Sequence, residues 1–133
     1  MKILVTGFTP FGGEQINPSW EAVKRLPERI GEAALLKREI PTEFAAACAA
    51  LRAQLDELRP DAVLSVGQYG GANCIRVERV AVNLRDARIA DNAGAKPVDE
   101  PVVPGAPDAY FATLPTRRIV EKLRGEDIPA QLS

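Results

Sequence analysis

Short apolar runs and amphipathic segments follow one another along the chain. Residues 2–6 and 61–66 are apolar runs that end at Gly7 and Gly67, as is typical of strands buried on both faces of a parallel sheet. Both runs are therefore predicted to be central parallel strands. Residues 34–40 form a third predicted strand.

Three other segments have the patterns of helices. The first begins at Asn17 as N-cap, with a proline in the first helical position. In the second, apolar residues recur at spacings of three and four across residues 44–58, with Thr42 as the expected N-cap. The third covers about residues 115–124 and is followed by a glycine.

Strands that alternate with helices imply right-handed crossovers and a mostly parallel sheet that helices cover on both faces. The predicted fold class is therefore α/β, and the length of the chain fits a single domain over residues 1–133. Residues 128–133 have the pattern of the beginning of a further strand. We therefore expect this domain to be incomplete, truncated before its C-terminal elements.

The charge pattern narrows the class of partner. The 17 Lys and Arg are interleaved with 18 Asp and Glu instead of forming a basic stripe, so no nucleic acid is expected as a partner.

No run approaches the ~20 apolar residues of a membrane span, and no signal peptide is evident, so we expect a cytoplasmic protein without a membrane partner. Two cysteines and no histidine predict neither a disulfide framework nor a metal site, and no cofactor is expected.

Glycine-rich segments follow the two central strands, at the edge where open α/β sheets bind ligands. Residues 7–14 have the glycine spacing of a phosphate loop but put glycine and glutamate where Lys and Ser or Thr belong, which argues against phosphate. What remains is Phe8 and Phe11, whose rings suit a small, neutral, flat ligand or, alternatively, serve only in packing. Gln68, in the second segment, offers an amide donor and acceptor or belongs to a simple tight turn.

A carboxylate occurs within a third apolar pattern. Residues 77–84 alternate like a strand, and this period places Glu78 on the apolar face. A buried carboxylate there needs a fixed partner, whereas Glu78 is solvated if the strand begins only at Arg79. Both interpretations stay open at this point.

Neither cysteine is predicted to be a nucleophile. Cys48 lies on the apolar stripe of the second predicted helix and is expected in the core. Cys74 has Arg76 nearby, but no imidazole in the chain could activate its thiol.

Three segments carry a specific combination of motifs: GFTPFGGEQINPSW at 7–20, GQYGGANCIRVERVAVN at 67–83 and DARIADN at 86–92. Together they resemble the pyroglutamyl peptidase I family, also called pyrrolidone-carboxylate peptidase. The likeness continues through residues 109–115 and 128–130, so it covers essentially the whole chain. It implies a cytosolic cysteine peptidase that removes N-terminal pyroglutamyl residues with a Cys-His-Glu triad, on an α/β/α sandwich, commonly as a homo-tetramer.

The resemblance also implies roles for single residues. Glu78 matches the triad acid, which orients the histidine, and Arg88 matches an arginine near the oxyanion. The residues that match the family's pocket for the pyroglutamyl ring are Phe8, Phe11, Asn17, Thr42, Gln68 and Ile89. The implied partners are peptides with an N-terminal pyroglutamate.

The chain departs from the family pattern at two kinds of position. Ala72 stands where the family usually has Arg, and Arg76 where it has Ser or Thr, so the electrostatics of this loop are altered. The family's nucleophilic cysteine and its histidine belong to segments expected after Ser133. The leading hypothesis is an N-terminal portion of a pyroglutamyl peptidase, inactive by itself. The alternatives are a truncated, non-catalytic relative that only binds pyroglutamyl termini and, third, a nucleotide-binding module, against which Glu14 argues.

Overall fold

A computed structural model describes residues 1–133 and shows two units. The first unit comprises residues 1–68 and 88–96, and the second comprises residues 69–87 and 97–133. The single domain expected over the whole chain stays a prediction, and each unit is described by itself.

The first unit contains a four-stranded sheet whose central strand is the N-terminal apolar run. Its elements are β1 (Lys2–Phe8), α1 (Pro18–Lys24), β2 (Arg29–Ile30), β3 (Ala33–Ile40), α2 (Phe44–Leu58) and β4 (Ala62–Ser65). The strand order is β2-β3-β1-β4, and β1 pairs in parallel with both β3 and β4, while β2 is an antiparallel edge. The mostly parallel sheet confirms the predicted α/β class.

Adjacent residues of β3 show that the two helices of this unit cover opposite faces of the sheet. The Nζ of Lys37 donates to the backbone carbonyl of Leu26, just beyond α1, over 2.8 Å. The Nε of Arg38 donates to the side chain of Gln54 on α2 over 2.7 Å. Because successive side chains of a strand point to opposite faces, α1 and α2 form the outer layers of an α/β/α arrangement.

Helix α1 lies directly against the central strand. Asn17 is its N-cap, as predicted, and its side chain accepts a hydrogen bond from the Ser19 N–H. A Cβ added at Gly7 would lie 2.7 Å from the Cα of Trp20, so only glycine permits this approach. Val5 and Val23 pack in the resulting core together with Leu35.

Helix α2 differs from its prediction in two respects. Its N-cap is Glu43 and not Thr42, and the Glu43 side chain makes no capping bond. The Asp91 carboxylate instead accepts the N–H of Phe44 over 2.7 Å, so the cap comes from a distant segment. Cys48 is exposed, and its predicted place in the core is wrong because the stripe that carries it is covered only in part.

The second unit has two small sheets and one helix. Its elements are β5 (Ile75–Val77), β6 (Val80–Val82), β7 (Ala109–Phe111), α3 (Thr116–Gly125) and β8 (Ala130–Leu132). Strand β5 pairs in parallel with β8, and β6 pairs antiparallel with β7. The strand predicted at the end of the sequence is therefore present, whereas the single strand predicted over 77–84 is wrong, because the chain leaves one sheet after Val77 and enters another at Val80.

No helix in either unit is long and apolar enough to cross a membrane. The longest is α2, with 15 residues, well below the ~20 residues that a bilayer requires.

The contact between Gly7 and α1 predicts a large effect of a single methyl group. Gly7→Ala should lower the free energy of unfolding by about 1–3 kcal/mol, because the new Cβ would overlap backbone atoms of Trp20 that cannot rotate away. Urea denaturation of the unchanged chain and of the Gly7→Ala chain measures this difference in the free energy of unfolding. Gly70→Ala is the matched control, since no atom lies within 4 Å of its added Cβ. Equal destabilisation by the two substitutions would contradict the packing argument.

Candidate functional site

A cavity of about 220 Å³ opens at the carboxyl ends of the parallel strands in the first unit. It is lined by Phe8, Phe11, Asn17, Thr42, Gly67 and Gln68. This is the edge at which open α/β sheets bind ligands. The volume lies below the ~300–1,000 Å³ of sites for drug-sized molecules, so the cavity suits a smaller ligand.

Two half-buried phenyl rings form its apolar walls. Phe8 is the last residue of β1, and a Cβ added at Gly67 would lie 3.9 Å from its ring. Phe11 precedes a turn in which Gly12 and Gly13 have φ of +64° and +81°, values that other residues rarely adopt. None of the lining side chains carries a charge, so the cavity favours a neutral ligand.

The Asn17 side chain, 2% exposed, is held in one orientation by three hydrogen bonds. Its Oδ1 accepts from the N–H of Ser19 over 3.0 Å and from the Ser19 hydroxyl over 2.8 Å. Its Nδ2 donates to the carbonyl of Thr9 over 3.0 Å. Since the backbone N–H can only donate, the oxygen and nitrogen of the amide are unambiguous, and one N–H remains without a partner in the chain.

The Thr42 side chain is bonded to Thr9, the residue that follows β1. The Thr42 hydroxyl donates to the Thr9 carbonyl over 2.6 Å, and the Thr42 N–H donates to the Thr9 hydroxyl over 2.9 Å. The two hydroxyl oxygens lie 3.0 Å apart. Thr42 therefore lines the cavity, but its position depends on Thr9, whose role nothing in the local sequence pattern indicates.

Gln68 completes the lining from the loop after β4. Its side chain is exposed and makes no hydrogen bond within the chain. Its carbonyl oxygen and both amide hydrogens therefore remain available to a ligand.

Hydrogen bonds join the segment that follows Arg88 to backbone carbonyl groups beside the cavity. The Asn92 amide donates to the Pro10 carbonyl over 2.8 Å, and the Asn92 N–H donates to the Thr42 carbonyl over 3.2 Å. Arg88 and Ile89 are exposed and do not line the cavity. Of the predicted pocket residues in this unit, the structure thus brings together five and leaves Ile89 outside.

Asp91 fixes this segment to α2. Its carboxylate accepts the N–H groups of Phe44, Ala93 and Ala95 over 2.7, 2.9 and 2.8 Å. The bond from Phe44, aided by those from Ala95 and Ala93, lowers the pKa of Asp91 below its ordinary value of 3.8, against an opposing effect of desolvation. Sequence inspection alone missed this residue because its partner in α2 is 47 positions away.

The second unit holds the remaining predicted residues. Glu78 is exposed between β5 and β6 and makes no side-chain hydrogen bond. This agrees with the solvated interpretation of Glu78. The guanidinium of Arg76, in β5, lies 4.8 Å from the ring centroid of Tyr69. One of the two residues that depart from the family pattern thus makes a cation–π contact with the segment that precedes its strand.

The fold and the cavity define an α/β protein with a small, uncharged pocket at the carboxyl edge of a parallel sheet. A family model described as pyroglutamyl peptidase matches residues 1–133. The chain belongs to the pyroglutamyl peptidase family. No cluster of three or more His, Cys, Asp or Glu side chains is placed to hold a metal ion.

Relatives and solved structures agree with this membership. The chain is 54% identical over 133 residues to the pyrrolidone-carboxylate peptidase of Thermococcus onnurineus, and 53% identical over 134 residues to that of Gloeobacter violaceus. All of this chain is covered in both cases, but only 66% and 65% of the relatives. The chain therefore spans just under two thirds of the length of these curated relatives.

Two solved structures show how similar the backbone is. Pyroglutamyl peptidase I of Bacillus amyloliquefaciens superimposes with a TM-score of 0.95 at 50% identity, covering 99% of this chain and 65% of that one. A mutant pyrrolidone carboxyl peptidase of Pyrococcus furiosus gives a TM-score of 0.96 at 50% identity, covering 100% and 64%.

The lowered pKa of Asp91 predicts a pH-dependent effect of its replacement. Since the folded pKa lies below the ordinary value of 3.8, the stability that this carboxylate contributes is present above that value and is lost as the pH falls through the folded pKa. Asp91→Asn should therefore lower Tm at pH 7, and the difference from the unchanged chain should shrink below pH 3.8.

Melting curves from pH 7 down to strongly acidic pH test this effect. Asp56→Asn, at an exposed position of α2 without a side-chain hydrogen bond, is the control and should change Tm little at any pH. A Tm difference for Asp91→Asn that stays constant across this range would show that the charge of Asp91 is not what matters.

Proposed function

We propose that the cavity binds the five-membered lactam ring of an N-terminal pyroglutamyl residue. The observation that carries this proposal is the combination of two phenyl walls with amide and hydroxyl groups in a cavity of about 220 Å³ that no charged side chain lines. A pyroglutamyl ring is small, nearly flat and neutral, so it matches the cavity in size and polarity. Phenyl rings favour such a flat apolar surface, and the polar groups give it one orientation.

The hydrogen-bonding groups of the lining are those that a lactam needs. The ring carbonyl requires a donor, which the remaining N–H of Asn17 or the amide of Gln68 supplies. The ring N–H requires an acceptor, and the Thr42 hydroxyl and the Gln68 carbonyl are available. A site that satisfies both groups distinguishes pyroglutamate from proline, which has no ring carbonyl.

We propose further that the complete protein to which this chain corresponds is a cytoplasmic cysteine peptidase that removes N-terminal pyroglutamyl residues and assembles as a homo-tetramer. Membership of the pyroglutamyl peptidase family supports this. In this proposal Glu78 is the triad acid that orients the histidine, and Arg88 stabilises the oxyanion. Ile89 contributes to the pocket when substrate is bound.

In this proposal, the 133-residue chain by itself binds pyroglutamyl termini but does not cleave them from peptides. It contains no histidine that could act as the base and convert a thiol to the nucleophilic thiolate. Cys48 is exposed on α2 and does not line the cavity. Binding without stabilisation of the transition state does not accelerate the reaction.

Binding of the ring is tested with pyroglutamyl amide and the 133-residue chain. Phe11→Ala should weaken binding by about tenfold or more, because it removes one apolar wall. Chemical shift changes in an NMR titration measure the affinity. The control is Phe111→Ala, since Phe111 is 81% exposed in β7 and does not line this cavity. If the ligand shifts no cavity residue, or if both substitutions weaken it alike, the proposed site is wrong.

The catalytic role of Glu78 is tested in a chimera, in which the unmatched third of the Thermococcus onnurineus relative follows this chain. The chimera should release an amine from a pyroglutamyl conjugate, and the 133-residue chain should not. Glu78→Gln should lower kcat by about 10²-fold or more while KM changes little, since an unoriented histidine is a poorer base. The control is Glu57→Gln at an exposed position of α2.

Two results with the chimera would contradict the proposal, the first for the triad role of Glu78 and the second for the peptidase activity. Unchanged kcat for Glu78→Gln would remove Glu78 from the triad. A chimera that folds and binds pyroglutamyl amide but releases no amine would favour the non-catalytic binding protein instead.

A further inference from the structure

Thr9 lies at the centre of the cavity's hydrogen bonds without being part of its lining. It follows β1, between the two phenylalanines that form the apolar walls. Its N–H donates to the Ile40 carbonyl over 3.0 Å, and its own carbonyl accepts from Asn17 and from Thr42. The main chain at Thr9 is therefore fixed on both sides.

The direction of each hydrogen bond between Thr9 and Thr42 can be deduced. A carbonyl oxygen can only accept, so the Thr42 hydroxyl proton points to the Thr9 carbonyl, 2.6 Å away. That proton is then not available for the contact of 3.0 Å between the two hydroxyl oxygens. The Thr9 hydroxyl must be the donor in this contact, and its oxygen accepts the Thr42 N–H at the same time.

This arrangement decides what Thr42 can offer to a ligand. A hydroxyl has one proton and two lone pairs. The Thr42 proton is used by the Thr9 carbonyl, and one lone pair is used by the Thr9 hydroxyl. One lone pair remains, so Thr42 can accept a hydrogen bond from a ligand but cannot donate one.

The same count for Asn17 gives the opposite result. Both lone pairs of its Oδ1 are used by Ser19, and one amide hydrogen is used by the Thr9 carbonyl. One N–H remains, so Asn17 can donate but cannot accept. Together the two side chains present one donor and one acceptor to the cavity that both of them line.

We propose that Thr9 is a positioning residue that makes Thr42 an obligate acceptor and thereby selects ligands with a ring N–H over ligands of the same shape without one. This inference rests on the proposed function. A lactone has the shape of a lactam but carries an oxygen in place of the N–H, and that oxygen would face the lone pair of Thr42. Without the Thr9 hydroxyl, the Thr42 N–H loses its acceptor and the Thr42 oxygen loses the donor that fills one of its lone pairs. The orientation in which the Thr42 proton points to the Thr9 carbonyl is then no longer held from both sides, and the Thr42 hydroxyl becomes free to rotate.

The test compares pyroglutamyl amide with its γ-lactone counterpart, in which the ring N–H is replaced by oxygen, on the 133-residue chain by NMR titration. The unchanged chain should prefer the lactam by about tenfold or more, since an unsatisfied polar pair in a pocket weakens binding strongly. Thr9→Val keeps the shape and the backbone carbonyl but removes the hydroxyl, and the preference should fall several-fold. Thr9→Ser keeps the hydroxyl and should restore the original ratio.

The ratio of affinities separates this role from a merely structural one. If Thr9 only stabilised the fold, Thr9→Val would weaken both ligands alike and leave the ratio unchanged, and this result would overturn the inference. A ratio near one in the unchanged chain would also overturn it, even if Thr9→Val does not fold. Failure of the unchanged chain to bind either ligand would instead overturn the proposed function and this inference with it.

Discussion

The backbone carbonyl of Thr9 accepts hydrogen bonds from two side chains that belong to different parts of the first unit. Asn17 begins α1, and Thr42 follows β3, yet both donate to this one oxygen over 3.0 and 2.6 Å. A carbonyl has two lone pairs, so its capacity is filled. Because Phe8 directly precedes Thr9 and Phe11 follows it by two residues, the separation of the two rings depends on the same pair of bonds.

Close packing of α1 against β1 makes this junction possible. Gly7 lets the backbone of Trp20 approach the strand to a distance at which any side chain would overlap it. At that distance the Ser19 hydroxyl accepts the Phe8 N–H over 2.9 Å and donates to Asn17. The bonds therefore form a continuous chain from the end of β1 to the cap of α1, and such networks hold each member in one orientation.

Features encoded in neighbouring residues could be predicted from the sequence, and features that depend on distant residues could not. The pair Asn17–Pro18 identified the start of α1, and the apolar runs identified two parallel strands. Of these strands β1 is central as predicted, whereas β4 lies at the edge of the sheet, so its predicted central position is wrong. The capping role expected for Thr42 was wrong, because Asp91 supplies the acceptor from 47 positions away. The candidate pocket residues came from the resemblance, whereas Thr9 had no signal, since its importance lies in the direction of bonds that only coordinates reveal.

An uncharged cavity recognises its ligand by the pattern of donors and acceptors and not by net charge. The total binding energy of a ligand with so few atoms is limited, since even the best small ligands gain at most about 1.5 kcal/mol per non-hydrogen atom. Discrimination is different, because a pocket built to pair a ligand's N–H and C=O leaves its own groups unpaired when either is missing. The fixed protons of Asn17 and Thr42 therefore matter more for which ring enters than for how strongly it is held, and this selectivity requires that the groups be oriented before the ligand arrives.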